Sequence, residues 1–300
     1  NVNYEKKTLT INGSGDILLQ NNKDQLKYLI NKTDKSYNFI NTLIINNNPL
    51  VLDFLNFEKD EKEKMEINLR GKGELEKKLE IDLLSAQVGN NQFKIDNLEF
   101  DKNLKITNFS NIHINYFDRD NLLNKFSITL KDKDYLLIGS SFNINHLIDN
   151  LINNDNKKLD IFKKDFKIKI KIDELFLDKL NSLYEFTGIL MFNNNEIVNG
   201  DFLGNFSNKE KLKFTIKSNK NEKITTLFLD RAKPIVQRYK FIKGFSEGKL
   251  DFYSIKKNKE SVSKIKIYDF KLKELPVLTK LLTLASLQGI ADLLNGEGIG

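Results

Sequence analysis

The chain has 300 residues, 40% of them apolar and 22 of them phenylalanine, which excludes a disordered protein and predicts a substantial core. The absence of cysteine excludes disulfides, thiolate metal sites and a cysteine nucleophile, but is compatible with a reducing or an oxidising compartment. The formal charge of +7 allows an anionic partner. Because the lysines are interspersed with Asp and Glu, we predict that the chain does not bind nucleic acid.

Apolar and polar residues alternate along much of the chain, with the period of two that places them on opposite faces of a strand. In residues 166–172 four apolar side chains share one face and three lysines share the other. Antiparallel sheets commonly have one dry and one solvated face. We therefore predict a mainly β, antiparallel meander. The residues that define its apolar face most clearly are Phe166, Ile168, Ile170, Ile172, Leu212, Phe214, Ile216, Leu250 and Phe252.

Three short segments have helical spacing instead. In chain order, Leu26, Leu29 and Ile30 follow Asp24 as a possible N-cap, Leu147, Ile148, Leu151 and Ile152 form a second group, and Ile235, Val236 and Tyr239 follow Pro234. A longer amphipathic helix is predicted over Pro276–Leu294, with Gly296 placed to end it. Lys280, Gln288 and Asp292 interrupt this helix and argue against a transmembrane span.

Turns are predicted between the strands wherever glycine and asparagine cluster. These places are Gly71 with Gly73, Gly89–Asn91, Asn193–Asn195 with Gly200, Asn219–Asn221, and Gly244–Gly248. No composition change marks a domain boundary, so residues 1–300 are predicted to be one elongated β segment, with the Asn-rich stretch Asn153–Lys158 as its weakest joint. Since the chain starts at Asn1 without an apolar leader, we expect it to be a piece of a longer protein.

No motif for catalysis is present. His113 alternates within a strand and His146 begins a short amphipathic segment, and neither has a partner constellation. The acidic residues Asp53, Glu58, Asp60, Glu61 and Glu63 are interleaved with lysines, which is typical of a solvated face. We therefore predict no enzymatic activity, no cofactor and no metal site.

The C-terminal quarter resembles a known family. Residues Ile267–Ile299, IYDFKLKELPVLTKLLTLASLQGIADLLNGEGI, resemble the signature that closes the AsmA-like C-terminal region of YhdP-type proteins, which belong with TamB to one superfamily. In that signature a D-F step leads into P-x-L, a Leu-rich helix, S-L-x-G and G-x-G-I. Residues Arg231–Phe252 are similar to the preceding helix, turn and strand, although the usual paired glycines appear as Gly244 and a separate Gly248. The resemblance spans 231–299.

The resemblance implies a long, curved sheet that is open along one side like a folded taco. It also implies a periplasmic protein, held in the inner membrane of a Gram-negative bacterium by an upstream anchor, that moves glycerophospholipid to the outer membrane without catalysis. The nine apolar-face residues are then candidates for lining a groove for phospholipid acyl chains. The signature residues of the C-terminal helix region are Pro276, Leu278, Leu281, Leu282, Leu287, Gly289, Gly296 and Gly298.

Two alternatives remain open. Alternation is the same for a groove and for the core of a closed sandwich or barrel, so the apolar residues could form a dry core. The chain could also be a structural envelope domain that binds a protein partner through its sheet edges. If lipid is bound, we expect poor headgroup selectivity, because no convergent polar constellation can be traced in the sequence.

Overall fold

The structure is a computed structural model in which the chain is mainly β, as the alternation predicts. It describes residues 1–5, 7–74, 77–146, 165–193, 196–207, 209–219, 221–238, 244–257 and 260–272. The described residues group into two compact units, one over residues 1–139 and the other over the described residues from 140 onward. The strand β13 (Asp134–Asn143) crosses the point where the two units divide.

The first unit is an antiparallel meander. Nine of its strands pair in the order in which they occur along the chain, β1–β2–β3–β4–β7–β8–β9–β11–β12. Their bounds are β1 Val2–Glu5, β2 Thr8–Leu19, β3 Asn22–Lys32, β4 Ser36–Ile45, β7 Met65–Glu74, β8 Lys78–Val88, β9 Asn91–Asp101, β11 Asn111–Phe117 and β12 Leu123–Lys131.

Three shorter strands complete the first unit. The strand β10 (Ile106–Asn108) pairs with β9. Between β4 and β7, the strands β5 (Leu50–Leu52) and β6 (Phe57–Lys59) pair with each other and flank the 3-10 turn Asp53–Leu55. Residues 46–64, which contain this small hairpin, are called the cover segment below.

The second unit is also an antiparallel meander in chain order, β14–β15–β16–β17–β18–β19–β20. Its strands are β14 Phe166–Phe176, β15 Ser182–Asn193, β16 Glu196–Asn205, β17 Lys211–Ser218, β18 Glu222–Leu229, β19 Phe245–Lys257 and β20 Glu260–Leu272. The helix α1 (Lys233–Arg238) joins β18 to β19 and contacts β19. Pro234 lies in its first turn, so the helix predicted here is confirmed.

Of the other helix predictions, one is wrong and two lie outside the described residues. The helix predicted around Leu26 is wrong, because Asn22–Lys32 forms β3 and pairs with both β2 and β4. Backbone hydrogen bonds to two neighbouring strands stabilise the extended form over a local helical pattern. The helices predicted at 147–152 and at Pro276–Leu294 lie outside the described residues, as do the joint Asn153–Lys158 and all eight signature residues from Pro276 to Gly298.

Two of the predicted turns are confirmed. Gly89 has a positive φ of 54° in the tight β8–β9 connection, and Asn219 Oδ1 accepts backbone hydrogen bonds from Asn221 and Glu222 between β17 and β18. The turns predicted at Gly71 and Gly73 in β7, at Gly200 in β16 and at Gly248 in β19 are wrong, since these glycines lie inside strands. Gly244, directly before β19, does lie in a turn with a φ of 71°, and Asn193 at the end of β15 pairs with Glu196 at the start of β16. Gly248 has a φ of 82° and Asp269, at the matching position of β20, has a φ of 55°, while the β19–β20 register is the same on both sides of these two residues.

Several of the strand-interior glycines accommodate aromatic rings from the same face. A Cβ atom added to Gly73 would overlap the Tyr37 ring, and one added to Gly200 would lie 2.9 Å from the Phe202 ring. A glycine within a strand often marks such a close approach. The glycine clusters are therefore packing positions on the sheets.

Candidate functional site

The register of the second unit brings all nine predicted apolar residues onto one face. Residues directly opposite in an antiparallel pair point to the same side. One row, called the central row below, crosses all seven strands: Ile170, Gly188, Phe202, Phe214, Leu227, Phe252 and Ile265. A second row lies beside the central row, nearer one end of the strands, and consists of Gly204, Leu212, Leu229, Leu250 and Ile267. These residues, with Phe166, Ile168, Ile172, Phe186, Leu190 and Ile216, are called the apolar face of the second unit.

Exposure varies across this face. Leu212, Leu229 and Leu250 are buried at the end of the strands where α1 lies. Two residues between β18 and β19 are buried as well: Ala232, just before α1, and Val236, within it. Along the central row, Ile170, Phe202, Phe214, Leu227 and Ile265 are only half-buried, while Phe252 is buried. The aromatic rings of Phe186, Phe202 and Phe214 follow one another at centroid separations of 5.8 and 5.9 Å in stacked orientation. The central row is thus a partly accessible apolar strip.

The length of the central row suits a hydrocarbon chain. Seven strands give six spacings of about 4.8 Å, so the row is about 29 Å long. The hydrocarbon core of a bilayer is about 30 Å thick, which leaves about 15 Å for the acyl chains of one leaflet. An acyl chain therefore needs only about half of the row.

The opposite face of the second unit is rich in lysine and also exposes apolar side chains at Ile189, Met191, Leu203, Phe228 and Val262. Lys167, Lys169 and Lys171 of β14 lie opposite Met191, Ile189 and Thr187 of β15. Further lysines follow on β17 and β20 of the same face at Lys211, Lys213, Lys217, Lys264 and Lys266. Most of these lysines are exposed, so this face is solvated as the alternation predicts.

The first unit has an apolar face of its own, built by the same register rule. Its central row is Gly13, Tyr28, Asn41, Leu69, Leu84, Ile95, Ile112 and Ile128. The next row is Gly15, Leu26, Leu43, Ile67, Ala86, Phe93, Ile114 and Phe126. His113 lies on the other face, opposite Lys94 and Ser127, and is exposed.

The cover segment packs on one edge of this face, which the sequence did not predict. Its Phe57 is 1% exposed and joins a buried cluster with Ile45, Met65, Val88 and Tyr116. The Tyr116 hydroxyl donates a 2.6 Å hydrogen bond to the Leu55 carbonyl, and burial raises the pKa of this phenol. Arg119 forms ion pairs with Glu58 at 3.0 Å and Asp53 at 3.3 Å. Part of the acidic cluster thus holds the cover segment to the end of β11.

A buried polar network fixes the other side of the cover segment. Asp24 Oδ1 accepts hydrogen bonds from the backbone N–H groups of Asn46 and Asn47 at 2.7 and 2.9 Å, and Oδ2 accepts one from Asn48 Nδ2 at 2.6 Å. Lys59 is fully buried, and its Nζ donates to the carbonyls of Asn48 and Asp60, both at 2.8 Å. Asp24 therefore organises the start of the cover segment and does not cap a helix.

This network predicts that the first unit loses stability in acid. Burial by itself raises the pKa of Asp24, but the hydrogen bonds from Asn48, Asn47 and Asn46 and the charge of Lys59 together lower it below its ordinary value of 3.8. A carboxyl with a depressed folded-state pKa contributes stability above its unfolded pKa of about 3.9, and this contribution is lost as the pH falls through the folded pKa. We expect Asp24→Asn to lower the free energy of unfolding at pH 7 and to flatten its fall below about pH 4, as measured by urea unfolding at several pH values. Equal acid slopes in the variant and the parent would contradict this role.

No family of known proteins, no curated protein sequence and no solved structure matches this chain. Within the described ranges, no group of three or more His, Cys, Asp or Glu side chains is placed to hold a metal ion. Among the same residues, no helix has the length and apolar character needed to cross a bilayer. The candidate functional site is therefore defined by geometry alone, as the apolar face of the second unit.

Proposed function

We propose that the chain is a non-enzymatic lipid-binding scaffold of the AsmA-like type, which carries glycerophospholipid by holding the acyl chains on the apolar face of its sheets. The observation that supports this most directly is the central row of the second unit, which crosses seven consecutive strands with six apolar side chains on one face, five of them half-buried. Large apolar surfaces of this kind are uncommon on soluble monomers without a binding role.

The energetics favour such a surface for moving lipid. Transfer of an acyl chain into water costs about 0.8 kcal/mol for each CH₂ group, or on the order of 10 kcal/mol for a whole chain. A row of apolar side chains removes this cost at each position along the face, so movement needs no covalent step. The periplasmic location, the inner-membrane anchor and transfer to the outer membrane follow from the family resemblance and form part of the proposal.

Two neighbouring residues of β15 provide a matched test. Leu190 is half-buried on the apolar face, whereas Ile189 is 37% exposed on the opposite face. The protein is expressed in the periplasm, purified without detergent and extracted with organic solvent for mass spectrometry. We expect stoichiometric phospholipid with the parent and with Ile189→Asp, and a loss of at least tenfold with Leu190→Asp, because a carboxylate on the apolar face is poorly compatible with an acyl chain.

Folding of both variants is checked by circular dichroism and urea unfolding. Lipid retained by a folded Leu190→Asp variant would locate binding elsewhere. A folded parent without lipid would favour the alternative function, a structural envelope domain that binds a protein partner by strand addition.

One observation favours this alternative as the second candidate. The strand β2 has 12 residues, but β1 pairs only with Thr8–Ile11. Within the part of the chain that the structure describes, residues 13–19 of β2 have no strand partner on the side away from β3. An exposed strand edge offers N–H and C=O groups to an extended peptide.

A further inference from the structure

The apolar face of the second unit becomes polar in one corner. The row that begins with Ile168, Leu190, Gly200 and Ile216 continues as Thr225, Ser254 and Ser263 on β18, β19 and β20. In the next row, Ser218 of β17 is followed by Lys223, Lys256 and Ser261 on β18 to β20. The residues Lys223, Thr225, Ser254, Lys256, Ser261 and Ser263 are called the polar corner.

The lysines of the polar corner are directly opposite each other across β18 and β19. Side chains in such pairs start about 5 Å apart, so both ammonium groups can reach one small anion. Both lysines are half-buried, which strengthens their electrostatic interactions relative to those of fully solvated lysines.

A hydroxyl group in the corner lacks a partner. Thr225 is fully buried and its Oγ1 makes no hydrogen bond. By contrast, Ser254 Oγ interacts with Ser263 Oγ at 2.9 Å and with Ser261 Oγ at 3.3 Å. A buried hydroxyl without a partner destabilises the fold, and a ligand oxygen beside Thr225 would remove that cost.

The ends of the same strands border an open cavity. The cavity has a volume of about 520 Å³ and is lined by Asn219, Asn221, Glu222 and Lys257. Glu222 and Lys257, which form an ion pair at 3.4 Å, are the immediate chain neighbours of Lys223 and Lys256. Because successive side chains of a strand point to opposite faces, Glu222 and Lys257 lie on the other face of the sheet, so the cavity borders the strand ends beside the polar corner and not the corner itself. The apolar rows extend away from the polar corner toward β14.

We propose that the polar corner binds the phosphate of a phospholipid whose acyl chains lie on the apolar face between β14 and β17. This inference rests on the proposed lipid-binding function and adds a headgroup site to it. The apolar part of the face, three strand spacings from β14 to β17, is about 14 Å long, close to the depth of one leaflet. Two cations and several hydroxyl groups suit a phosphate, whose oxygens accept charge-assisted hydrogen bonds.

The site changes the expectation about selectivity. Because strand register was not known from the sequence, no convergent polar constellation could be traced, and poor headgroup selectivity was expected. The polar corner predicts instead that a phospholipid is preferred over an uncharged lipid with the same acyl chains.

The test uses the full chain, freed of lipid, and compares fluorescent phosphatidic acid with diacylglycerol carrying the same acyl chains and label. We expect the parent to bind phosphatidic acid about tenfold more tightly, as 1.4 kcal/mol of headgroup interaction would give. Lys223→Gln with Lys256→Gln should remove this preference and leave diacylglycerol binding unchanged. The matched control, Lys217→Gln with Lys264→Gln, removes the same charge from the opposite face and should retain it.

Thr225→Val tests the corner without removing charge. Valine keeps the branched shape, and loss of an unpaired hydroxyl does not destabilise the fold, so the variant should fold and bind phosphatidic acid several-fold more weakly.

Equal binding of the two lipids by the parent would overturn the headgroup site while leaving the lipid-binding function intact. Absence of binding to either lipid would overturn both. Inorganic phosphate that binds the lipid-free parent as tightly as phosphatidic acid would show a site for free phosphate and also overturn the headgroup assignment.

Discussion

Replacing Phe57 by alanine should lower the free energy of unfolding by about 3–5 kcal/mol, as is typical for truncating a fully buried phenylalanine. Phe57 is 1% exposed, and its ring packs edge-on against Phe93 at 5.0 Å and against Tyr116 at 5.7 Å between centroids. Such aromatic pairs add about 0.5–1.5 kcal/mol to the effect of burial alone. The measurement is urea unfolding followed by far-UV circular dichroism.

The cover segment supplies its own control for this change. Phe54, three residues earlier, is 62% exposed, so Phe54→Ala should change the free energy of unfolding by less than about 0.5 kcal/mol. Similar losses for the two variants would mean that the cover segment does not pack on the sheet as described. A large loss for Phe57→Ala alone establishes that this segment seals one edge of the apolar face.

Alternation predicted the strands because it reflects a local property, the opposite orientation of successive side chains. It placed Ile170, Phe214 and Phe252 on apolar sides of their strands, and the observed register joins those sides into one face. The register itself depends on pairing between strands that are far apart in the chain. The polar corner, in which Thr225 meets Ser254, therefore could not be predicted.

Errors arose where a local pattern fits two structures. Asp24, Leu26 and Ile30 suit a capped helix, but Leu26, Tyr28 and Ile30 also have the spacing of one strand face, and pairing with β2 and β4 decides in favour of the strand. The cover segment was missed for a related reason. Its charges read as a solvated face, whereas Lys59 is buried because backbone carbonyls accept its hydrogen bonds.

At the strand glycines, too, the local sequence pattern fits two structures. One of these glycines gives the second large change in stability that we expect. Gly71 reads as a turn residue, yet it lies in β7, where an added Cβ would overlap the carbonyl oxygen of Glu80 and lie 2.7 Å from Phe39 Cζ. A backbone carbonyl cannot rotate away like a side chain. We therefore expect Gly71→Ala to lower the free energy of unfolding by about 1–3 kcal/mol, the usual cost of overpacking.

Gly15 in β2 is the matched control for this substitution, since it lies in a strand of the same unit and an added Cβ there meets no atom within 4 Å. Gly15→Ala should be neutral or stabilise the protein by up to about 1 kcal/mol, because alanine restricts the unfolded chain. Urea unfolding of the two variants distinguishes the explanations for the glycines. If both substitutions lower the free energy of unfolding equally, glycine is needed for backbone freedom in these strands. If only Gly71→Ala lowers it, Gly71 is needed because the Phe39 ring and the β8 backbone occupy the space of a side chain. The apolar face is then closely packed at that point.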